Sequence, residues 1–291
     1  MAEELLYQWT QTLAESISMN SCLIILFNIK FMKKLLILLL CAFVGMEVSA
    51  QKEVSAKTIF DMIDKGQSVD YQDVTITGNL DLTELSNKKR IKKGKNDYEE
   101  FKSTVEAPVS FKNCVFKGDV IAYKNIEDEK NKKIGNANIN LSIGDGPTYT
   151  TDFEKSVVFE NCSFEGKSEF KYSDFAEKSS FAGTKFAHDA NFKYADFRQE
   201  INFAKCDFNE YANFKYSNFK QDADFFAVRF DNYADFKYTN FGDRVTFKSS
   251  TFKNQADFKY ADFKEDTNFD NTKFSAGADF KYSNGKRYMN N

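Results

Sequence analysis

Phenylalanine recurs along this chain at an interval that few folds can accommodate. From Phe153 to Phe280 it appears at alternating steps of six and five residues, which accounts for 24 of the 32 phenylalanines. The tripeptide Phe-Lys-Tyr returns with a constant period of twenty-two, beginning at Phe170, Phe192, Phe214, Phe236, Phe258 and Phe280. An internal period of this length is typical of a repeat architecture, in which each repeat packs only against its neighbours.

A helical explanation of the period is possible in principle, because an eleven-residue repeat also produces a right-handed coiled coil. On an α-helix, however, steps of five and six residues would place successive phenylalanines about 120–140° apart, in two stripes instead of one seam. Residues 151–285 contain no Leu, Met, Pro or Trp and are rich in Asp, Asn, Ser and Thr, which are poor helix formers. The pattern therefore favours short strands.

The residue two positions before each phenylalanine indicates what shares the interior with it. In the units from Ser168 to Ala278 this residue is small or short and β-branched, with Ile201 as the exception. Residues i and i−2 of an extended strand lie on the same side, so each side of a coil directs one phenylalanine and one small residue inward. Four such sides make one full period, and the sequence predicts an all-β solenoid with a roughly square coil.

Several five-residue units resemble a known family. Ala190–Tyr194, Ala195–Gln199 and Ala256–Tyr260 are similar to the A(D/N)(L/F)xx unit of pentapeptide-repeat proteins. This resemblance covers residues 151–284 and implies a right-handed quadrilateral β-helix. Alternate units carry one extra residue, such as Asp266, which predicts looser turns at two of the four corners.

The predicted organisation has five parts. They are an upstream extension plus signal peptide at 1–50, an N-terminal cap helix and first irregular coil at 51–85, an irregular coil with two insertions at 86–150, the regular solenoid at 151–284, and a C-terminal tail at 285–291.

Residues 32–50 have the three features of a secretory signal. A basic start, Met32–Lys34, precedes an apolar run, Leu35–Val44, and a small-residue end, Val48–Ala50. We therefore expect translation to begin naturally at Met32 and cleavage to leave Gln51 as the first residue of an exported protein.

Other interpretations of the segment before Gln51 remain open. Residues 1–31 read as an upstream extension, although an amphipathic or membrane segment over 22–31 is an alternative. A retained transmembrane anchor is disfavoured, because the ten-residue apolar run is too short to span a bilayer. A lipoprotein modified at Cys41 is disfavoured by the bulky Leu40 before it.

The net charge excludes two classes of protein. It is −3 for the whole chain and −2 for residues 51–291, since residues 1–50 contain three lysines and four glutamates. A near-neutral chain is typical neither of a nucleic-acid binder nor of a strongly acidic decoy.

The segment before the regular repeats predicts a capped, irregular start. Residues 52–70 read as a short helix with Ser55 as N-cap and Gly66 as its stop, covering the end of the solenoid. Strand-like alternation follows, and Phe111 and Phe116 mark two sides of the next coil; the alternating residues are Val74, Ile76, Leu80 and Leu82.

Two insertions are expected to leave this region as solvated loops. Residues 86–107 include a basic run, Lys88–Lys95, and residues 124–150 are polar and glycine-rich. Loops on a solenoid can carry binding sites, and the basic run could contact anionic glycans or lipid headgroups. Six charges in a loop are weak support for that role.

The residue types that carry chemistry are scarce. Cys114, Cys162 and Cys206 occupy small inward positions. Cys162 and Cys206 are two coils apart, about 9.6 Å, which exceeds the reach of a disulfide. The sequence therefore predicts buried free thiols. His188 is the single histidine and falls at a corner facing water. No catalytic motif, cofactor or metal site is predicted, and an enzyme is strongly disfavoured.

The Phe-Lys-Tyr repeats predict the candidate binding face. Its outward residues are Lys171, Tyr172, Lys193, Tyr194, Lys215, Tyr216, Lys237, Tyr238, Lys259, Tyr260, Lys281 and Tyr282. We expect either a purely structural role, with stacked tyrosines and lysines neutralised by neighbouring acids, or a site for an extended glycan or protein strand with tyrosines as platforms. The neighbouring acids would be Glu169, Asp235, Asp257 and Asp279.

The C-terminal end predicts a second contact surface. Residues 285–291 predict no helix and little cover for the last coil, so Phe269, Phe274 and Phe280 would be exposed. An uncovered end of a β-solenoid favours end-to-end pairing, so we expect a homodimer through the C-terminal coil.

These observations together favour an exported, non-catalytic repeat protein that offers a rigid surface for binding or for a structural role in the cell envelope. The resemblance also implies an alternative, since some family members mimic DNA and bind DNA gyrase in the cytoplasm. The export signal, the near-neutral charge and the lysine column all disfavour that alternative.

Overall fold

The computed structural model describes residues 52–92, 99–126 and 146–289, and positions 4, 7, 8 and 10–12. The chain divides into two compact units, Met1–Ala50 and Gln51–Asn291. The described positions of the first unit are helical and exposed. The predicted signal segment 32–50 lies outside the described residues.

In the second unit the chain winds through four sides per coil, and equivalent sides of successive coils pair as four sheets. We number the sheets in the order in which each coil visits them. The strands of sheet 1 are Val69–Gln72, Val109–Lys112, Val157–Glu160, Ser179–Ser180, Ile201–Asn202, Ala223–Asp224, Val245–Thr246 and Thr267–Asn268. The strands of sheet 2 are Lys52–Ser55, Val74–Thr77, Val115–Phe116, Ser163–Phe164, Lys185–Phe186, Asp207–Phe208, Arg229–Phe230, Thr251–Phe252 and Lys273–Phe274.

The other two sheets complete the coil. The strands of sheet 3 are Leu80–Asp81, Val120–Ile121, Ser168–Glu169, Ala190–Asn191, Ala212–Asn213, Ala234–Asp235, Ala256–Asp257 and Ala278–Asp279. The strands of sheet 4 are Lys89–Lys92, Glu99–Val105, Tyr123–Asn125, Thr148–Phe153, Asp174–Phe175, Asp196–Phe197, Asn218–Phe219 and Asn240–Phe241. From Phe153 onward each strand pairs parallel and in register with its equivalent in the next coil, as in Phe164 with Phe186. The predicted all-β, four-sided solenoid is confirmed.

Phenylalanine rings fill the interior as four continuous columns. Within a column the rings lie nearly parallel, with centroids 5.2 Å apart for Phe170 and Phe192. Between columns they meet edge to face, as Phe181 does with Phe192 at 81°. Both arrangements suit the quadrupole of the ring, and Phe170, Phe181 and Phe192 are completely buried.

The small inward residues also satisfy backbone groups. At several corners within the five-residue steps, hydroxyls donate to the carbonyl of a phenylalanine in the preceding coil, as Ser217 Oγ does to Phe192 at 2.7 Å and Thr239 Oγ1 to Phe214 at 2.8 Å. The Ser173 Oγ at the equivalent corner makes no such bond. A buried hydroxyl needs such a partner. The pattern explains why Ser and Thr are accepted beside the phenylalanines.

Cys114, Cys162 and Cys206 are free and buried, as predicted. Burial raises the pKa of the Cys206 thiol. Cys114 and Cys162 lie in adjacent coils, because Val115 pairs with Ser163 across the 124–150 insertion. That insertion conceals the neighbour relation of the two thiols in the sequence.

The N-terminal end is capped as expected, but by a shorter helix. The helix, α1, spans Ala56–Asp64; the Ser55 side chain accepts from the Thr58 N–H at 3.1 Å, and Gly66 has a φ of 68°. The prediction of a helix over 52–70 was too long, since both its ends are strands. Lys52–Ser55 pairs with Val74–Thr77, because an exposed sheet edge is covered best by another strand.

The prediction that residues 86–107 form a loop was wrong. Lys89–Lys92 pairs antiparallel with Glu99–Val105, which in turn pairs parallel with Thr148–Phe153. The segment is therefore part of sheet 4, and its hairpin places Arg90 beside Glu99 at 2.6 Å. In the second insertion, Tyr123–Asn125 pairs antiparallel with Thr148–Thr150. Residues 93–98 and 127–145 lie outside the described residues.

The C-terminal tail differs from its prediction as well. Gly285–Tyr288 forms a 3₁₀ helix, and Tyr288 and Met289 pack against the core. Gly285 lies so close to Phe263 that an added Cβ would be 2.5 Å from its ring. This close approach lets the tail cover the last coil.

Candidate functional site

Each Lys-Tyr pair occupies the tight corner between sheets 3 and 4. The residue after each tyrosine donates its N–H to the carbonyl of the phenylalanine three residues earlier, at 3.0–3.2 Å. The tyrosine is the third residue of this turn and has a φ of 57–63° in all six coils. Gly or Asn is the usual residue at a turn position with positive φ, so an aromatic side chain there is unusual.

The six tyrosines form one continuous stack, which together with the six preceding lysines we call the Lys-Tyr ladder. Neighbouring ring centroids are 4.6–4.8 Å apart, and the rings deviate from parallel by 2–23°. Tyr123 extends the stack beyond Tyr172 with a tilted contact at 5.8 Å. The candidate binding face predicted from the sequence is therefore brought together along one corner of the rod.

Stacking decides which part of each ring a partner can contact. The tyrosines are 36–65% exposed, with Tyr282 at the upper limit. Inside the stack both faces of each ring are covered by neighbouring rings, so edges and hydroxyls form the exposed surface. The prediction of tyrosine faces as platforms therefore does not suit the interior of the ladder.

The diagonally opposite corner, between sheets 1 and 2, provides an internal comparison. It has the same turn with positive φ at its third residue, between 52° and 69° in the regular coils. That position holds Asn161, Gly183, Lys205, Ala227, Ser249 and Asn271. The backbone therefore accepts many residues here, and the conformation of the corner does not explain the six tyrosines. The extra residue of each six-residue step lies at the other two corners.

The six lysines do not share one environment. The ammonium groups of Lys171, Lys193, Lys215 and Lys281 lie 4.8–5.1 Å from the ring centroid of the following tyrosine. This geometry is a cation–π contact. Lys237 and Lys259 instead bind carboxylates of sheet 3.

The carboxylates belong to a polar network that sequence reasoning found only in part. Asp235 and Asp257 are each only 2% exposed, and their Oδ2 atoms accept from the hydroxyls of Tyr211 and Tyr233 at 3.1 Å. Lys237 Nζ lies 3.2 Å from Asp235 and 3.4 Å from Asp257. Tyr211 and Tyr233 stand one period apart, and this spacing was the signal that could have revealed them.

Hydrogen bonding sets the protonation state of this network. Burial by itself raises the pKa of Asp257, but the Lys259 backbone N–H and ammonium, Lys237 and the Tyr233 hydroxyl hold it below its usual value. Burial and the Asp235 carboxylate raise the pKa of Tyr211. The network therefore holds the ionised Asp257 carboxylate beside neutral phenols.

The second predicted surface, at the C-terminal end, is more covered than expected. Phe269 is only 5% exposed and belongs to the core, while Phe274 and Phe280 are half-buried and pack against it. The prediction that all three are exposed was wrong, because the 3₁₀ helix and Met289 lie over this end.

The remaining candidates for chemistry are isolated. His188 is half-exposed, with its Nδ1 3.2 Å from Glu210 in the next coil. Within the described ranges, no three His, Cys, Asp or Glu side chains converge as a metal site. In the same ranges, no helix has the length and apolar character needed to cross a membrane.

Comparison with known proteins agrees with the geometry. A family model described as pentapeptide repeats, in nine copies, matches residues 150–196, 181–229 and 236–284. No curated protein and no solved structure gives a significant match. The matched residues are those whose sides pair between successive coils and direct one phenylalanine and one small residue inward. Residues 150–229 and 236–284 of the chain are therefore pentapeptide repeats, and such repeats imply right-handed winding of the β-helix.

Proposed function

We propose that this protein is an exported, non-catalytic rod that binds an extended glycan along the Lys-Tyr ladder. The observation that carries the proposal is the contrast between the two tight corners. One accepts six varied residues at its positive-φ position, whereas the other holds tyrosine in every regular coil. A bulky residue in this conformation is costly, so its repeated use at one corner favours a role for the exposed hydroxyls.

The chemistry of the ladder suits a hydroxyl-rich polymer. Phenol hydroxyls and ammonium groups recur once per coil, so a chain lying along the rod meets hydrogen-bond donors at regular intervals. A protein strand is favoured less, because strand addition requires unpaired backbone groups. The N–H groups of Tyr172, Tyr194, Tyr216, Tyr238 and Tyr260 already donate to the lysine carbonyl of the next coil at 2.9–3.1 Å.

A glycan array tests this function. Replacing Tyr216 and Tyr238 by Ser removes two adjacent rings, and Ser249 shows that serine fits a corner with the same φ sign. We expect the double variant to lose the array signal, because the donors that contact the glycan are gone. A matched control carries Lys205→Ser and Ala227→Ser at the opposite corner and should bind like wild type. Absence of any glycan signal with the wild-type protein, or an unchanged signal in the tyrosine variant, would contradict the proposal.

Export is supported by residues 32–50 and by the start of the fold. The first described strand begins at Lys52, so cleavage after Ala50 would leave the described β-helix intact. The intact mass and cell fraction of the endogenous protein test this. We expect a chain that begins at Gln51, outside the cytoplasm. A cytosolic chain beginning at Met1 or Met32 would contradict export and make DNA gyrase the first partner to examine.

A further inference from the structure

The charge of the Lys-Tyr ladder changes along its length. Toward the C-terminus, Lys237 and Lys259 each bridge the aspartate of their own coil and that of the next. Lys259 Nζ lies 3.1 Å from Asp257 and 3.5 Å from Asp279, as Lys237 does between Asp235 and Asp257. Sheet 3 therefore neutralises these two lysines.

In the preceding coils the same sheet 3 positions hold Asn191 and Asn213. Among the residues that the structure describes, Lys193 and Lys215 form no ion pair. Burial and the neighbouring charge of Lys215 lower the pKa of Lys193, against a smaller opposing effect of the Asp235 carboxylate. Both lysines are half-buried and neither is ion-paired among the described residues, an arrangement that an added anion would stabilise.

The fold does not require asparagine at these positions. Asn213 Oδ1 accepts the Lys215 N–H at 3.2 Å, and Asp235 Oδ1 accepts the Lys237 N–H at 3.0 Å. Both residues therefore serve the backbone in the same way. The two side chains differ in charge, because Asp235 carries a carboxylate and Asn213 a neutral amide.

We infer that Lys193 and Lys215 bind a carboxylate of the partner, so that the glycan recognised by the ladder is acidic, of the uronate class. This inference rests on the function proposed above. The ligand carboxylate takes the role that Asp257 plays between Lys237 and Lys259. The hydroxyls of Tyr194 and Tyr216 are donors beside it, and burial raises the pKa of Tyr194, which keeps that phenol protonated at neutral pH.

The test compares two ligands of one length, an oligogalacturonate and its fully methyl-esterified form, by isothermal titration calorimetry. With the wild-type protein we expect the acid to bind at least tenfold more tightly than the ester, because only the acid supplies the missing charge. Asn213→Asp places a carboxylate at the position that Asp235 and Asp257 occupy in later coils. We expect this variant to bind both forms equally, with ester affinity unchanged.

The other outcomes separate this inference from the proposed function. Lys205→Gln, on the opposite corner, is the control and should keep the wild-type preference. If the wild-type protein binds both ligands equally, the inference is wrong while the glycan function stands. If Asn213→Asp keeps the full preference for the acid, the carboxylate lies elsewhere and the inference is also wrong. If neither ligand binds but glycans on the array do, uronates are not the ligand and the inference is wrong. If no glycan of any kind binds, the proposed function itself fails.

Discussion

A tyrosine with positive φ has an unfavourable backbone conformation, and this chain has six of them in the regular coils. The left-handed conformation costs a residue with a Cβ about 1–2 kcal/mol. An aromatic pair contributes about 0.5–1.5 kcal/mol, and the six rings share five such pairs, so stacking offsets part of that cost. Each tyrosine is thus tolerated because its neighbours are also tyrosines, which makes the ladder a cooperative property of several residues.

Glycine substitutions at the two tight corners should separate these contributions. Lys205→Gly removes the cost of the left-handed backbone conformation for a residue with a Cβ and adds the entropic cost of glycine. We expect a net stabilisation of no more than about 1 kcal/mol. Tyr216→Gly also loses two ring contacts and should destabilise by about 1 kcal/mol. Chemical denaturation measures both. Equal stabilities of the two variants would mean that the stack contributes nothing.

A buried phenylalanine in the middle of the rod should be far more sensitive. Phe214 is fully buried and contacts rings in the coils on both sides. Replacing it by Ala should cost about 3–5 kcal/mol, because the cavity cannot close between stacked rings. Urea unfolding followed by circular dichroism gives the value, and a loss below about 1 kcal/mol would contradict a rigid core.

At the scale of elements, caps and polar networks decide how the rod ends and what its faces carry. Helix α1 covers the first coil with Ile59 and Ile63, and the 3₁₀ helix Gly285–Tyr288 covers part of the last. On sheet 3, buried aspartates bind Lys237 and Lys259, so lysines at equivalent positions of the repeat differ in their electrostatic environment.

The N-cap of α1 should be a measurable part of the N-terminal cover. Ser55→Ala removes the acceptor for the Thr58 N–H and should destabilise the protein by about 0.5–2 kcal/mol. Ser55→Asp retains an acceptor and should behave like wild type. Thermal unfolding distinguishes them, and equal losses in both variants would show that the cap bond is unimportant.

Asp257 should contribute to the pH dependence of stability. The pKa of Asp257 is lower in the native state than in the unfolded state. Its contribution to the free energy of unfolding is therefore present above the unfolded pKa of about 4. That contribution is lost as the pH falls through the lower native pKa. Asp257→Asn should therefore reduce the loss of stability below pH 4. Asp243→Asn, at an exposed position, is the control and should leave the profile unchanged. An identical profile for Asp257→Asn would contradict the depressed pKa.

At the scale of the whole molecule, each described coil of the rod packs against the coils beside it, and the two ends of the rod differ. In the described residues, three sheets end at strands of the last coil, namely Thr267–Asn268, Lys273–Phe274 and Ala278–Asp279. The 3₁₀ helix shields part of this end, but Phe274 and Phe280 stay half-buried.

We propose that two copies pair through this C-terminal coil. Light scattering at tens of micromolar protein should give the mass of a dimer, because unpaired strand edges and partly covered rings favour association. Phe274→Lys introduces a charge at the contact and should shift the mass to a monomer. A wild-type monomer at the same concentration would contradict the proposal.

The constant period by itself determined the four-sided coil, the inward phenylalanines and small residues, the free buried thiols and the location of the ladder. It could do so because in-register stacking of equal coils places residues that are one period apart in the sequence next to each other in space. Only the tertiary structure decided the rest. Phe111 pairs with Phe159 across a long insertion, and the strands within 86–107 join sheet 4, since the length of an insertion does not reveal where its backbone pairs. Likewise, whether a lysine of the ladder pairs with an aspartate depends on side chains from two coils reaching the same point, and that pairing distinguishes Lys237 and Lys259 from Lys193 and Lys215.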